Sequence, residues 1–581
     1  MTVIAAAVVA VIAASGPTVA PTVVDVFPIP GGHVALPGTQ ITFRGVPVNA
    51  LGRIMVTGSE SGVHTGVVLA DSDGHGGSFV PDQPFQAGEQ VTVQTGLSIA
   101  GVRRGTFRFT VASPAGAIPA GAHAPIARTA GDVWHFVSRP DLAPAAVRVD
   151  RRSSAAAPGD VFVASQSGPV QNGPELLGAD GGLIYFKPVP PGESATDFRT
   201  QTYQGKPVLT WWQGSVSSAG VGAGEDEIYD SSYRPVAIVK AGNGLAADLH
   251  EFQLTSRGTA LITAEVPVYW NASSATGASS REIVLDAVVQ EIDVRTGLVL
   301  YQWDSLDHVP VTASYQPPPA DTGHPWDYFH VNSIEPLPDG SLLVSSRDTW
   351  AVYKISRATG AVQWTLGGKH SSFTMGANTR FAFQHDARLH PGDELTIFDD
   401  GAGPPLVHQQ SRALTLKLDT PKMTATVARQ AEHDPPLSAA YEGNVQRLPN
   451  GDDFVGWGQQ PYVTEFDPAG ATVFDARFVG ATDTYRAYRF AWSGTPVTQP
   501  AAKLTTSAGH ATVCASWNGT TSTARWRVLA GPSASSLRPA ATVAKSGFET
   551  AIPLPAAAAD VEVQALDAHG NVLATSRIVG G

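Results

Sequence analysis

The sequence predicts an all-β chain in which a repeat array sits between two sandwich-like ends. Composition points there first, because Gly 59 and Pro 44 with only 15% charged residues fit a turn-rich β protein. Short runs such as QITFRGV, RGTFRFTV, EIVLDAVV and RWRVLAG alternate or are β-branched, whereas long runs of helical period with capping boxes are scarce. A strand-pair pattern also recurs through the middle of the chain. At 581 residues the chain exceeds one ordinary core, and at about 150 residues per domain it accommodates three or four domains, or one array with attachments.

The N-terminus, MTVIAAAVVAVIAASGPTVA, carries an apolar run of signal-peptide length that is too short to span a bilayer, followed by small residues Thr18, Val19 and Ala20 at a cleavage position. No Lys or Arg occurs before Arg44, so the basic n-region is missing. Residues 1–20 are therefore read as an atypical export leader, and the mature chain as secreted or held at the cell envelope. No other segment approaches spanning length. Residues 21–113 hold short strands separated by Gly, Pro and Asp turns and read as an immunoglobulin-like sandwich. The Ala-, Pro- and Gly-rich stretch 114–134 has little to bury and reads as a linker.

From 135 to 495 the repeats appear. EIDVRTGLVLYQW (291–303) and KISRATGAVQWTL (354–366) align without a gap, pairing Ile292 with Ile355 and Thr296-Gly297 with Thr359-Gly360; EFDPAGATVFDARF (465–478) is a third copy. Between them fall LHEFQLTSRGTALITA, FHVNSIEPLPDGSLLVSS and QHDARLHPGDELTIFDD, in each of which a His opens the first strand of a pair. In a further pair, YEGNVQRLPNGDDFVGWG, Tyr441 stands where the others have His. Four-stranded units of this size predict a β-propeller of six blades. The tail, 499–581, returns to sandwich-like strands and reads as fibronectin type III-like, with Trp517 and Trp526 in its core.

A net charge of -13 without clustered Lys or Arg excludes nucleic acid as a partner. The single Cys, Cys514, excludes an internal disulfide framework and cysteine metal sites, and in ATVCASWNG it reads as a buried strand thiol. The chemistry must then come from elsewhere. Equivalent positions in repeated units point His250, His330 and His385 at one shared volume. Arg347, at the end of GSLLVSSR, aligns with Glu265 and Gly458 in the neighbouring pairs, and a position that changes sign between repeats is not holding the repeat together. An Arg beside convergent histidines suits a tetrahedral anion, since its fork of donors matches paired oxygens.

Read together, QTYQGKPVLTWWQG, DLHEFQLT, FHVNSIEPLPDGSLLVSSRD, WTLGGKHSSF, FAFQHDARL and LTIFDDGAG resemble the arylsulfate sulfotransferases in their actinobacterial and fungal branch, over about residues 160 to 490. The resemblance implies a six-bladed propeller that moves a sulfuryl group from an aryl sulfate to a phenol without a nucleotide cofactor. It implies His385 as the transiently sulfated nucleophile, with His250, His330, Arg347 and Asn332 around it. Such a transfer spreads negative charge over three oxygens and needs fixed cationic donors, and a covalent sulfo-histidine divides it into two half-reactions with ping-pong kinetics. A protonated neighbouring His would serve the leaving oxygen. Trp326, Tyr328, Phe329, Phe381, Phe383, Trp211 and Trp212 are the candidates for a flat apolar wall around the aryl group, Trp326, Tyr328 and Phe383 foremost. Two other readings stand beside this one: a propeller hydrolase holding a divalent metal on the three histidines, which Arg347 disfavours, and a non-catalytic secreted adhesion or scaffold protein. The resemblance itself implies neither metal nor cofactor.

Overall fold

A computed structural model describes residues 23–580 apart from 103–104, 119–120, 122–128, 130, 167–170, 322 and 508–509. The expected leader and its cleavage position lie outside the described residues. Among those residues the chain is built of strands, with three-residue 3₁₀ turns such as Val311–Ala313 between some of them.

The first part forms two antiparallel-rich sheets over one core that includes Val24, Phe43, Phe79, Val56, Val91 and Phe107. Alternation makes that core: in Thr106–Thr110 the phenylalanines point in and Thr106 and Arg108 point out. It is fastened to the central region by Ser72, whose N–H and hydroxyl donate to the Asp293 carboxylate at 2.7 and 2.8 Å, and by the Thr42 hydroxyl, which donates to the Val299 carbonyl at 2.7 Å. The described parts of the 114–134 stretch also lie against the centre, Ala115 N–H on Pro267 O at 2.8 Å and Gly121 N–H on Val216 O at 3.0 Å. The last part is a three-stranded and a five-stranded sheet sharing a core with Trp517 and Trp526. Cys514 is buried there as a free thiol.

Between these ends lie six sheets of four or five strands, each built on a run of antiparallel neighbours in chain order, to which two sheets add a strand from the far end of the region and the fifth a short parallel edge strand, Thr374–Met375. The His250 pair belongs to the third sheet (Phe252–Leu254, Thr259–Trp270, Glu282–Asp293, Val299–Asp304), the His330 pair to the fourth (Val331–Pro336, Leu342–Ser346, Ala351–Ile355, Val362–Gly367) and the His385 pair to the fifth (His385–His390, Glu394–Asp399, Arg412–Asp419, Thr424–Ala431). The aligned Thr-Gly turns are structurally the same: Gly297 and Gly360 take φ of 74° and 70°, and their N–H groups close on Asp293 O and Ser356 O at 2.8 Å. An L side chain is disfavoured in that left-handed conformation, which is why Gly recurs there.

Polar side chains lace the first strands of successive sheets. Asp197 accepts from Phe252 N–H, Glu251 from Ile334 N–H, Ser333 from Ala387 N–H, Asp386 from Val445 N–H and Asn444 from Ala487 N–H, at 2.9–3.4 Å. The two ends of the region share sheets twice, Val147–Arg152 pairing with Thr472–Phe478 and Asp160–Ser165 with Tyr488–Phe490. The histidines are thereby held at the starts of neighbouring first strands, where the lacing brings the strands close.

Candidate active site

His385 is the first residue of its strand, His330 directly precedes its strand, and His250 stands two residues before its own. The backbone around them is forced. His330, Phe383, Asp386, Asp197 and Glu442 have φ between 54° and 69°, and the ladder slips register at Val331/Ser333, His385/Arg388 and Thr196/Arg199. Non-glycine residues in this region carry strain that only a tightly determined surrounding sustains, and such strain gathers at functional sites. Here the bulges turn consecutive side chains so that the His and its polar neighbour serve different sets of partners.

Each histidine is anchored the same way, by Nδ1 on an aspartate. His385 meets Asp400 at 2.8 Å, His330 meets Asp327 at 2.5 Å, and His250 makes a short contact with Asp248. Asp248 is itself fixed by Gly222 N–H at 2.6 Å and the Thr263 hydroxyl at 3.1 Å. An aspartate on Nδ1 sets ring orientation and leaves Nε2 for chemistry. The His250 and His330 rings meet edge to face at 4.7 Å, and the Tyr485 ring lies 5.5 Å from His250 and 6.3 Å from His385.

The three rings differ electrically. The Nε2 of His385 accepts the Glu442 N–H at 3.3 Å, so it carries a lone pair and the ring proton sits on the Nδ1 side. Burial, and then the Arg347 guanidinium with His330 and His250, hold His385 well below the ordinary imidazole range. Burial opposes charge on His330 as well, but Asp327 and then Asp348 outweigh it and raise that ring. Burial dominates at His250 and lowers it despite Asp248. Two neutral rings therefore stand beside one that favours protonation.

Arg347 follows the strand Leu342–Ser346. Its guanidinium donates to Asp348 at 2.6 Å and to the Ala440 carbonyl at 3.0 Å, and its centre lies 4.8 Å from the Phe383 ring centroid. His330 and Arg347 keep 10% and 16% of their side chains exposed, against 1% for His385, so access to the cluster is on their side.

Next to the histidines lies a network that sequence reading missed. Arg486, fully buried, donates to Asp197 at 3.1 Å and to the Asn332 carbonyl at 2.6 Å, with Glu251 at 3.4 Å. Arg199 and Arg388 complete it on Asp197, Glu251 and Asp386. The signal for Arg486 and Tyr485 was the unassigned TYRAYRF stretch, and that for the anchoring aspartates was an Asp two or three residues before His in ADLH and WDYFH.

The other expected residues divide. Asn332 is fully buried, its amide donating to Gln384 O at 2.8 Å and its Oδ1 unpartnered, so it spans the fourth and fifth sheets beside the cluster. Phe383 underlies Arg347. Trp326 and Tyr328 are 3% and 0% exposed in a core with Val284, Leu306 and Phe329, and the Tyr328 hydroxyl is spent on Val309 O. Those two rings, like Phe383, are packed on all sides in this structure. Trp211 and Trp212 are likewise fully buried, with Trp212 Nε1 donating to Ala247 O. The three histidines do not gather as metal ligands. Among the described residues the donor atoms that converge within 4.8 Å belong to Glu265, Asp327 and His330.

Residues 199–479 match the family model for arylsulfotransferase (ASST), a stretch that holds all three histidines and Arg347. The match supports the arylsulfotransferase family and sulfuryl transfer at that level. No curated protein matches the chain. Among solved structures it is similar to a protein of unknown function from Bacteroides caccae (13% identity, 57% of this chain and 98% of the other, TM-score 0.34), an auxiliary nutrient binding protein from Bacteroides ovatus (10%, 82% and 92%, 0.28) and an inactive virginiamycin B lyase from Staphylococcus aureus (7%, 63% and 95%, 0.29). At these TM-scores none of the three carries an argument about this chain.

Proposed function

We propose that this chain transfers a sulfuryl group from an aryl sulfate to a phenol through a sulfo-histidine on His385, as a member of the actinobacterial and fungal branch of the arylsulfate sulfotransferases. One observation carries the reading: His385 is a buried, neutral imidazole whose Nδ1 is held by Asp400, whose Nε2 lone pair accepts only the long Glu442 N–H contact among the described residues, and whose neutral state burial and the Arg347 charge enforce. Nε2 attacks sulfur as the S–O bond to the aryl oxygen breaks, and Asp400 stabilises the cationic sulfo-imidazole through the Nδ1 proton. Arg347 balances the charge on the sulfuryl oxygens. His330, held towards its protonated form by Asp327, gives its proton to the leaving oxygen and takes one back from the incoming phenol. Phe383, itself buried, lies beneath Arg347 and backs the guanidinium.

The same reading takes the six laced sheets as blades of one propeller, the ends as immunoglobulin-like and fibronectin type III-like modules, and the chain as exported. The test is incubation with 4-nitrophenyl sulfate with and without phenol. Turnover with phenol and a sulfuryl adduct on His385 by intact mass and peptide mapping are the expected results. Absence of both over a panel of aryl sulfates, or activity that depends on a stoichiometric metal removed by chelator, would sink the proposal.

A further inference from the structure

Glu265 is the buried acid that this mechanism leaves unused. It lies inside the strand Thr259–Trp270 with 9% exposure, and its carboxylate oxygens make no hydrogen bond of good geometry among the described residues, the Val331 N–H being a donor nearby. One of its carboxylate oxygens lies within 4.8 Å of an Asp327 oxygen and a His330 ring nitrogen, and Asp327 Oδ1 is also unpartnered while its Oδ2 holds His330. Glu265 also lines a cavity of about 210 Å³ with Ser217, Val221, Gly222, Ala117 and Ile118. It thus touches a cavity on one hand and the His330 dyad on the other.

Charge decides what state such an acid takes. Burial first, then the like charges of Asp327, Asp248 and Asp348, push Glu265 well above the usual range, while the Val331 N–H pulls the other way. The nearby cations are committed, His330 to Asp327 and Arg347 to Asp348. A buried carboxyl among like charges, with the cations beside it already paired, favours its protonated form.

Resting on the sulfotransferase reading, we infer that Glu265 is a positioning residue for the proton of His330: the Glu265 carboxyl, beside the open Oδ1 of Asp327, holds a proton and links His330 Nδ1 through Asp327 to the cavity, so that His330 can reset its protonation between half-reactions. The need for a link follows from proton balance. When donor and acceptor phenols are alike, the proton that His330 gives as the S–O bond breaks returns from the acceptor as the new S–O bond forms, and nothing crosses to solvent. When the donor leaves as a stable phenolate, such as 4-nitrophenolate, His330 keeps its proton, and the proton of an ordinary acceptor phenol must depart by another route.

The experiment compares wild type, Glu265→Gln and Glu265→Asp with matched and mismatched donor–acceptor pairs. Glu265→Gln is expected to lower kcat about tenfold for 4-nitrophenyl sulfate with phenol and less than about twofold for matched phenols, with KM unchanged and with recovery in Glu265→Asp. Equal losses for both pairs would overturn the relay. A second measurement needs no turnover: the infrared difference between wild type and Glu265→Gln at neutral pH should contain a carboxylic-acid C=O band. Its absence, or a stoichiometric metal bound by wild type and lost in the variant, would overturn the proton on Glu265. If wild type turns over no aryl sulfate, the sulfotransferase reading fails, and the infrared result still decides the protonation of Glu265.

Discussion

Two clusters of buried charge touch at the starts of the first strands, and they are assembled on opposite rules. In the arginine network, Arg199, Arg388 and Arg486 face Asp197, Glu251 and Asp386, and every carboxylate rests on a guanidinium, so that burial notwithstanding Glu251 is held down to about 2. In the histidine cluster the acids outnumber the fixed cations: Asp248, Asp327, Asp348, Asp400 and Glu265 surround Arg347 and three titratable rings. Orphaned acceptors divide the same way. Glu265, Asp327, Asp400 and Asn332 all carry them, while none falls on a carboxylate of the arginine network. Pairing every charge makes a rigid support, since breaking a buried pair costs far more than the pair itself contributes. Leaving acceptors and protons unmatched makes groups whose state can change during a reaction.

The contrast can be broken from either side. Arg486→Met should remove the fully buried cation of a network with three carboxylates, leaving Asp197, Glu251 and Asp386 on Arg199 and Arg388 alone, and lower unfolding stability by about 3 kcal/mol, read by denaturant unfolding. His385→Asn should instead leave stability within about 1 kcal/mol and reduce turnover about 10³-fold or more, with no sulfuryl adduct by intact mass. Comparable destabilisation by both changes would erase the distinction. Arg347→Lys keeps the charge but loses the fork, and a fall in kcat/KM of about 10²-fold is expected from steady-state assays.

Titration sharpens the comparison further. His385 must be neutral and lies below the ordinary imidazole value, whereas His330 must be protonated and lies above it. Turnover with poor leaving groups should therefore fall on the acid side only well below about pH 6.5 and on the basic side as pH rises through the raised His330 value. Stability follows the same signs. The His330 contribution is complete below about pH 6.5 and is lost as pH rises through the folded value, while His385 favours unfolding as pH drops below about 6.5, because the unfolded ring takes up the proton first. A pH–rate profile and parallel unfolding curves check both limbs. The smallest effect is expected at Trp326→Phe, which should lower stability by about 1 kcal/mol or more and change kcat/KM by less than about twofold. A large loss of activity there would place Trp326 in the aryl wall.

Strand content, the His-led pairs and the Thr-Gly turns were legible in the sequence because alternation and positive-φ glycine are local requirements. His250, His330 and His385 were legible because repetition put them at equivalent corners. The buried packing of Trp326 and Tyr328 was not legible, because an aromatic next to a site residue looks the same in sequence whether its ring faces a ligand or the core, and a strand alternates faces with every residue. Asp400 and Arg486 were hidden for a different reason: fifteen residues of hairpin separate Asp400 from His385, and Arg486 meets Asp197 across the whole region, contacts that no window of sequence contains.

The double sharing of sheets between the two ends of the central region governs how this molecule is made. Val147 cannot meet Phe478, nor Phe162 meet Tyr488, until nearly all of the intervening chain has emerged. Contacts so distant in sequence form late and slowly, because the closure entropy must be met before any partner rewards it. Until then the strands at Val147–Arg152 and Asp160–Ser165 wait with open edges, exposed to any other strand that can pair with them. A chain cut before Thr472 would lose both seals together and leave two of its six sheets unfinished.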